Sequence, residues 1–325
     1  MSDLYIGIDL GGTNIKVGCF DDKMNLLKKD SSPTNADMGP EVVVENIGLL
    51  TESLFKDGGY SFKNVKGVGI GTPGPVNLRE GIVVAAPNLP AFRNTPIRKM
   101  VRQRLEKPVV MENDANAACF GEHVIGAGKG VDDMVFLTLG TGIGGGVISN
   151  GQVVHGYADD AAELGHIIIF PDGRLCGCGQ RGCVEAYASA NSTVARAIEA
   201  IRQGGKSSLS KLLDDTGKIT CKQIYEAVAN GDELAMNITE GTARALGLLC
   251  VNILHFSGPR RIVFAGGMIA AGDMLLKRIQ YYFDKYIWPM KEESLEICFA
   301  TLGEDAGIIG NAALARYNLK KGELS

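Results

Sequence analysis

Two strand–glycine turn–strand segments of one design constrain the fold of this sequence more than any other feature. Leu4–Leu10 is an apolar run followed by Gly11-Gly12-Thr13-Asn14, after which Ile15–Phe20 resumes an apolar, β-branched pattern closed by Asp21-Asp22. Val135–Leu139 leads in the same way into the glycine-rich run Gly140–Gly146, then Val147-Ile148-Ser149 and the turn dipeptide Asn150-Gly151. A repeated hairpin predicts two domains of related fold, each opening on a glycine turn. The length of 325 residues argues the same way, because single cores rarely grow past about 250–300 residues.

Between and beyond the hairpins, strand and helix patterns alternate. Strands are expected at Val65–Ile70, Val109–Met111 and Arg261–Ala265. Helices are expected at Glu41–Phe55, Thr95–Leu105, Asn113–His123, Glu185–Gln203, Cys221–Asn230, Leu234–Phe256, Asp273–Tyr286 and Ala306–Asn318. Alternation of this kind predicts an α/β class, and the hairpin openings predict mixed rather than purely parallel sheets.

The chain is 45% hydrophobic and 22% charged, which suits a globular protein. A net charge of −4 disfavours nucleic acid and anionic membrane surfaces as partners. No apolar run reaches the roughly 18 residues of a membrane span. The acidic start, Met1–Gly12, enters a strand at once and does not read as a signal peptide. Eight cysteines in such a chain read as reduced thiols, some of them metal-bound, and a cytoplasmic location is expected.

Backbone amides in a glycine turn can cradle phosphate oxygens, and glycine admits close approach of the ligand. Asp9 stands at the strand end beside the first turn, where a carboxylate suits Mg²⁺ held through water against a phosphate. Thr13 adds a hydroxyl. One glycine hairpin alone would be only a hairpin; two of matching design favour phosphate binding. The GxGxxG spacings at Gly69/Gly71/Gly74 and Gly140/Gly142/Gly145 open no helix, so a dinucleotide fingerprint is rejected, and no GxxxxGK[ST] loop is present.

His166, Cys176, Cys178 and Cys183 lie within eighteen positions. Three thiolates and one imidazole make a closed tetrahedral set for a structural Zn²⁺, with no open position for catalysis. Gly177, Gly179 and Gly182 let the chain fold back around one ion. Glu163 and Glu185 bracket the segment, and carboxylates fixed by a metal-locked loop suit vicinal hydroxyls; either alone would more often be a solvated surface group. Asp114 follows a strand and opens a helix. It reads equally as a helix-end carboxylate or as a base facing a cleft between the domains.

These residues resemble the ROK family, and within it the glucokinase-like sugar kinases. The resemblance covers nearly the whole chain. It rests on Asp9-Leu10-Gly11-Gly12-Thr13, on Glu112-Asn113-Asp114-Ala115-Asn116, on Leu139–Gly146, on Glu163-Leu164-Gly165-His166, and on the stretch from Cys176 to Glu185. It implies an actin-like ATPase (ribonuclease H-like) fold of two related domains with mixed sheets flanked by helices. The implied division is a small N-terminal domain, 1–112 plus 306–325, and a large domain, 113–305, carrying the zinc segment. ATP and Mg²⁺ would lie between them.

Carried over by position, Asp114 is implied as the base that orients the sugar 6-hydroxyl. Gly74, Asn88, Asn113, Glu163, His166 and Glu185 are implied as sugar contacts, with His166 offering its second ring nitrogen to the sugar. Asp9, Gly11, Gly12, Thr13, Asn14 and Lys16, with Gly140, Thr141, Gly142, Gly266 and Gly267, are implied as the nucleotide site. One departure stands out. The family commonly has Gly before the glutamate of the E-x-G-H stretch, and this chain has Ala162, whose methyl is expected to alter the local turn.

The expected activity is transfer of the γ-phosphoryl group of ATP to the 6-hydroxyl of a hexose. Glucose leads, with N-acetylmannosamine, N-acetylglucosamine and fructose as alternatives. A sugar-responsive repressor of the same family is disfavoured, because such proteins carry a helix-turn-helix before the first hairpin. A homodimer is the implied assembly.

Overall fold

The structure, a computed structural model, describes residues 3–86, 88–289 and 295–322. In chain order its elements are β1 (Leu4–Leu10), β2 (Asn14–Asp21), β3 (Leu26–Pro33), α1 (Pro40–Gly58), β4 (Val65–Thr72), β5 (Val76–Asn77), β6 (Ile82–Ala85), β7 (Arg93–Thr95), α2 (Ile97–Leu105), β8 (Val109–Asn113) and α3 (Asp114–Ile125). There follow β9 (Met134–Leu139), β10 (Ile143–Ser149), β11 (Gln152–Val153), α4 (Glu185–Ala188), α5 (Ala190–Arg202), α6 (Ser210–Thr216), α7 (Cys221–Ala229), α8 (Glu233–Ser257), β12 (Arg261–Ala265), α9 (Asp273–Tyr286), β13 (Glu296–Phe299) and α10 (Ala306–Lys321).

Two five-stranded sheets share one plan. Their strand orders are β3-β2-β1-β4-β8 and β11-β10-β9-β12-β13. In the first, β2 runs antiparallel to β1 and β3, while β4 is parallel to β1 and β8 parallel to β4. In the second, β11 is antiparallel to β10, β12 parallel to β9 and β13 parallel to β12. Each sheet, read by its own strands, has the order 3-2-1-4-5. The repeated hairpin is therefore the visible part of a repeated sheet, and both sheets are mixed and flanked by helices, as expected. Asn150 and Gly151, at φ 50 and 71, supply the left-handed pair that a tight hairpin turn needs.

The chain forms two compact units, one of Met1–Asp132, Gly146–Ala161 and Thr301–Ser325, the other of Asp133–Gly145 and Ala162–Ala300. In the first unit, Val43, Ile47, Leu50 and Leu54 of α1 recur at helical spacing and enter one core with Ile6, Ile8, Val68 and Ile70 of the sheet. Helix α10 packs on the sheet with no room for side chains. A Cβ on Gly7 would stand 1.8 Å from the Ile308 carbonyl oxygen, and one on Gly69 would stand 1.9 Å from that of Asn311. In the second unit, Ala197, Leu213, Ile224 and Ala235 bring α5, α6, α7 and α8 into one core.

Some elements differ from expectation. The helix expected over Glu185–Gln203 is two helices, because Ser189 adopts an extended ψ of 161 and its hydroxyl caps α5 by accepting from the Ser192 N–H. Helix α2 starts at Ile97, since Thr95 pairs with Val83. Strand β3 is largely exposed and lacks apolar alternation, and β5, β6 and β7 are too short to show a period. Among the described residues no helix is long and apolar enough to cross a membrane.

Candidate active site

In the first unit, the glycine turn is closed by the Gly11 N–H donating to Asn14 O at 3.0 Å. Thr34, just beyond β3, braces it: its hydroxyl donates to Gly11 O at 2.6 Å and its N–H to Thr13 O at 2.8 Å. Gly12 faces Asn88, whose Cβ leaves only 2.6 Å for any added Cβ. Asp9 pairs across the hairpin with Lys16. Burial raises the Asp9 carboxyl above its usual range, with Lys16 pulling the other way. Gly307 lies against this carboxylate, where a Cβ would stand 2.9 Å from Asp9 Oδ2. The lysine also reaches Glu304, 3.2 Å away.

Strand β8 runs out into α3 through Asn113 and Asp114. Asn113 is the N-cap: its Oδ1 accepts from the N–H groups of Ala115 and Asn116, at 2.9 and 3.3 Å. Its Nδ2 donates to Gly74 O at 3.4 Å, so these two expected sugar contacts stand together. Asp114 is exposed on the first turn, and its Oδ1 accepts from the Ala115 N–H at 2.8 Å.

Beneath them lies a residue whose role the sequence reading missed. Glu112 is 3% exposed. Its Oε1 accepts from the Asn113 N–H at 2.9 Å and from Asn116 Nδ2 at 3.1 Å, and its Oε2 lies 2.7 Å from His155 Nε2. Burial opposes a charge on His155, but the hydrogen bond and charge of Glu112, with Asp159 beyond, outweigh it and raise its pKa. Glu112 was visible only as a letter in a motif, and nothing in the sequence ties it to a histidine 43 positions away.

In the second unit, His166, Cys176, Cys178 and Cys183 converge, with one donor atom of each lying within 4.8 Å of all the others. Cys176 Sγ is 3.7 Å from His166 Nδ1, and Cys178 Sγ is 3.7 Å from Cys183 Sγ. All three cysteines are free, and those separations are far beyond an S–S bond. A tetrahedron with bonds of about 2.3 Å to sulfur has edges of about 3.8 Å, so the donor set and spacing fit Zn²⁺.

This cluster is joined to the second glycine loop on two sides of Ile143. Glu185 Oε2 accepts from the Ile143 N–H at 2.8 Å, and the Cys176 thiol donates to Glu185 Oε1 at 3.6 Å. Gly165 abuts the Ile143 carbonyl oxygen, where a Cβ would stand at 2.2 Å. Glu163 is exposed at the N-cap of the short 3₁₀ helix Leu164–His166, so the expected carboxylate and imidazole stand at the two ends of one turn. Ala162, before it, has φ 68, a left-handed conformation that a side chain disfavours.

Gly140, Thr141 and Gly267 line one cavity of about 570 Å³. Gly266 turns the chain after β12 at φ 88 and packs on Leu139, whose carbonyl oxygen would lie 2.4 Å from a Cβ. Much of the remaining wall comes from residues that no motif marks: Thr220, Cys221 and Tyr225 near and on α7, and Met268, Ala271 and Met274 before and on α9. Tyr225 lies at this wall with a buried hydroxyl that has no hydrogen-bond partner among the described residues. An apolar wall meeting a glycine loop fits a nucleotide's base and phosphates respectively.

Comparison with known proteins places this arrangement. The model of the ROK family matches residues 5–318. The chain belongs to the ROK family. It is 35% identical to a glucokinase of Halalkalibacterium halodurans over 97% of this chain and 96% of that one. Among solved structures it is similar to a ROK hexokinase from Thermus thermophilus (TM-score 0.83, 31% identity, 98% of this chain and 100% of that one). It is also similar to a ROK family glucokinase from Streptomyces griseus in complex with glucose and AMPPNP (TM-score 0.77, 35% identity, 97% and 99%). The actin-like ATPase fold expected from the motifs is the fold of this chain.

Proposed function

We propose that this chain is an ATP-dependent hexose kinase, acting on the 6-hydroxyl of glucose. The observation that carries this reading is its end-to-end similarity to glucokinases, with Asp114 standing at the start of α3 beside the hydrogen-bonded pair Glu112 and Asn113. In the proposed reaction Asp114 orients the 6-hydroxyl and takes its proton as the 6-oxygen bonds to the γ-phosphorus, while the bond from that phosphorus to the bridging oxygen breaks and ADP leaves with the electron pair. A loose phosphoryl-transfer transition state asks for orientation more than early deprotonation.

Gly74, Asn88, Asn113, Glu163, His166 and Glu185 are the proposed hexose contacts. Glu185 Oε2 is engaged by the Ile143 N–H; Cys176 bound to zinc would be a thiolate with no proton to donate to Oε1, and that oxygen would then be open to a hydroxyl. Gly11, Gly12, Thr13, Asn14 and Lys16, with Gly140, Thr141, Gly142, Gly266 and Gly267, are the proposed nucleotide contacts. Asp9 would hold Mg²⁺ through water, and the ion would offset charge on the phosphates. His166, Cys176, Cys178 and Cys183 would hold a structural Zn²⁺, whose contribution is to fix the segment carrying Glu163 and Glu185.

A coupled assay of ADP release over a panel of hexoses tests the reading. Turnover with glucose, at a kcat/KM above that for N-acetylmannosamine and fructose, is expected. Glucose binding without glucose-dependent ADP release would sink it.

A further inference from the structure

A second cavity, of about 720 Å³, lies within the first unit, and none of the residues proposed above to hold sugar or nucleotide lines it. Its floor is the strand β8 from Val109 to Glu112, an edge strand of the first sheet. Its wall carries five cations, Arg79, Arg98, Lys99, Arg102 and Lys321, against three carboxylates, Glu80, Glu112 and Asp159. The chain as a whole has net charge −4, so this excess of positive charge is local.

The wall is built rather than loose. The Arg98 guanidinium donates to the carbonyl oxygens of Leu78 and Arg79, both at 2.8 Å, and the Leu78 N–H donates to Asp159 Oδ2 at 2.8 Å. By contrast, the side chains of Arg79, Lys99 and Arg102 enter no ion pair or hydrogen bond among the described residues. His155 lines the same cavity. Its Nε2 is committed to Glu112 at 2.7 Å, while its Nδ1 has no partner among those residues.

We propose that this cavity is an effector site for a small multiply phosphorylated metabolite, and that His155 relays its binding through Glu112 to Asn113 and Asp114. The volume is that of a small-molecule site, and arginine forks with an imidazolium are the donors that recognise phosphoryl oxygens. The relay follows from charge. An anion at Nδ1 favours the imidazolium, whose second N–H then bonds the buried Glu112 carboxylate more strongly. That carboxylate holds the N–H of Asn113 and the side chain of Asn116 on either side of Asp114. The ligand is therefore an activator.

The relay rests on the kinase reading; the binding does not, and the two are tested separately. Inorganic pyrophosphate is the probe, with Mg²⁺ in excess and the active site saturated with glucose and AMPPNP. Calorimetry should show one equivalent bound with a submillimolar Kd. Arg79→Ala/Arg102→Ala should weaken it tenfold or more, while leaving basal kcat and both KM values within twofold. In turnover, pyrophosphate should raise wild-type kcat at least twofold and leave that double variant unchanged. No binding with the active site filled, or binding indifferent to the double variant, would overturn the site. Binding without a change in kcat would overturn the effector role. Absence of any turnover alongside variant-sensitive binding would count against the kinase reading and not against the site.

Discussion

The carboxylate of Glu185 accepts a 2.8 Å hydrogen bond from the backbone N–H of Ile143. Through it, the cysteine-rich segment and the second glycine loop hold each other. Gly142 has to be glycine for this contact, since a Cβ there would stand 2.5 Å from Glu185 Oε2. One expectation is that disturbing either partner weakens both. Glu185→Gln keeps an acceptor but loses the charge, a difference of about 1 kcal/mol at the backbone bond. The KM for glucose and the KM for ATP should therefore both rise, several-fold or more. A change confined to glucose would mean that the tie to Ile143 is idle.

Elemental analysis should find close to one zinc per chain. Stripping the metal should unfasten Cys176, Cys178 and Cys183 from His166 and release Glu163 and Glu185 with them, so glucose binding measured by calorimetry should collapse. Metal-free protein with normal glucose affinity would refute the organising role.

Asp114→Asn preserves size and the contact to the Ala115 N–H, but removes the base. Binding of glucose and ATP should persist while kcat falls by several orders of magnitude. A fall of less than about tenfold would rule the residue out as the base.

Ala162 occupies a left-handed conformation, φ 68, that glycine adopts without the clash of a Cβ. Ala162→Gly relieves about 1–2 kcal/mol of strain and gives back up to about 1 kcal/mol in chain entropy. Unfolding in urea should show a net gain of up to about 1 kcal/mol, and Ala162→Val a loss. A glycine variant less stable than the parent would show that the strain is not there.

Asp232 caps α8 and is 9% exposed. Burial works against its charge, but bonds from the Ala235 N–H, from Ser208 and from Ser207 outweigh it and hold its pKa down at about 2, from an ordinary 3.8. A depressed carboxylate stabilises the fold above its unfolded pKa, and the contribution is lost as pH falls toward the folded value. The window is therefore about pH 4 down to 2, and the contribution at neutral pH is about 2 kcal/mol. Asp232→Ala should lose that amount at pH 7 and show a flatter decline of stability between pH 4 and 2. An unchanged acid profile would mean the cap carries no such linkage.

Sequence alone determined what depends on short range. The two hairpins are readable because a glycine turn between apolar runs is a local pattern, and the repeat of that pattern announced two sheets of one plan. The cysteines and His166 are readable because zinc demands particular donor atoms whose spacing survives in one dimension. Asp114 is legible as a first-turn carboxylate of α3, since its neighbours in sequence suffice for its position, while position alone leaves it open between a helix-end carboxylate and a base.

The tertiary structure decided what depends on residues remote in the chain. Glu112 became a support only when the fold brought His155 to 2.7 Å. The nucleotide-sized cavity acquired its wall from Tyr225 and Met274, which no local period distinguishes from ordinary helix residues. The packing of α10 on the sheet likewise joins Gly7 to Ile308 and Gly69 to Asn311, backbones far apart in the chain that a sequence pattern does not pair. The physical reason is common to all three: a hydrogen bond or a steric contact is decided within a few ångströms, and only chain folding brings distant residues that close.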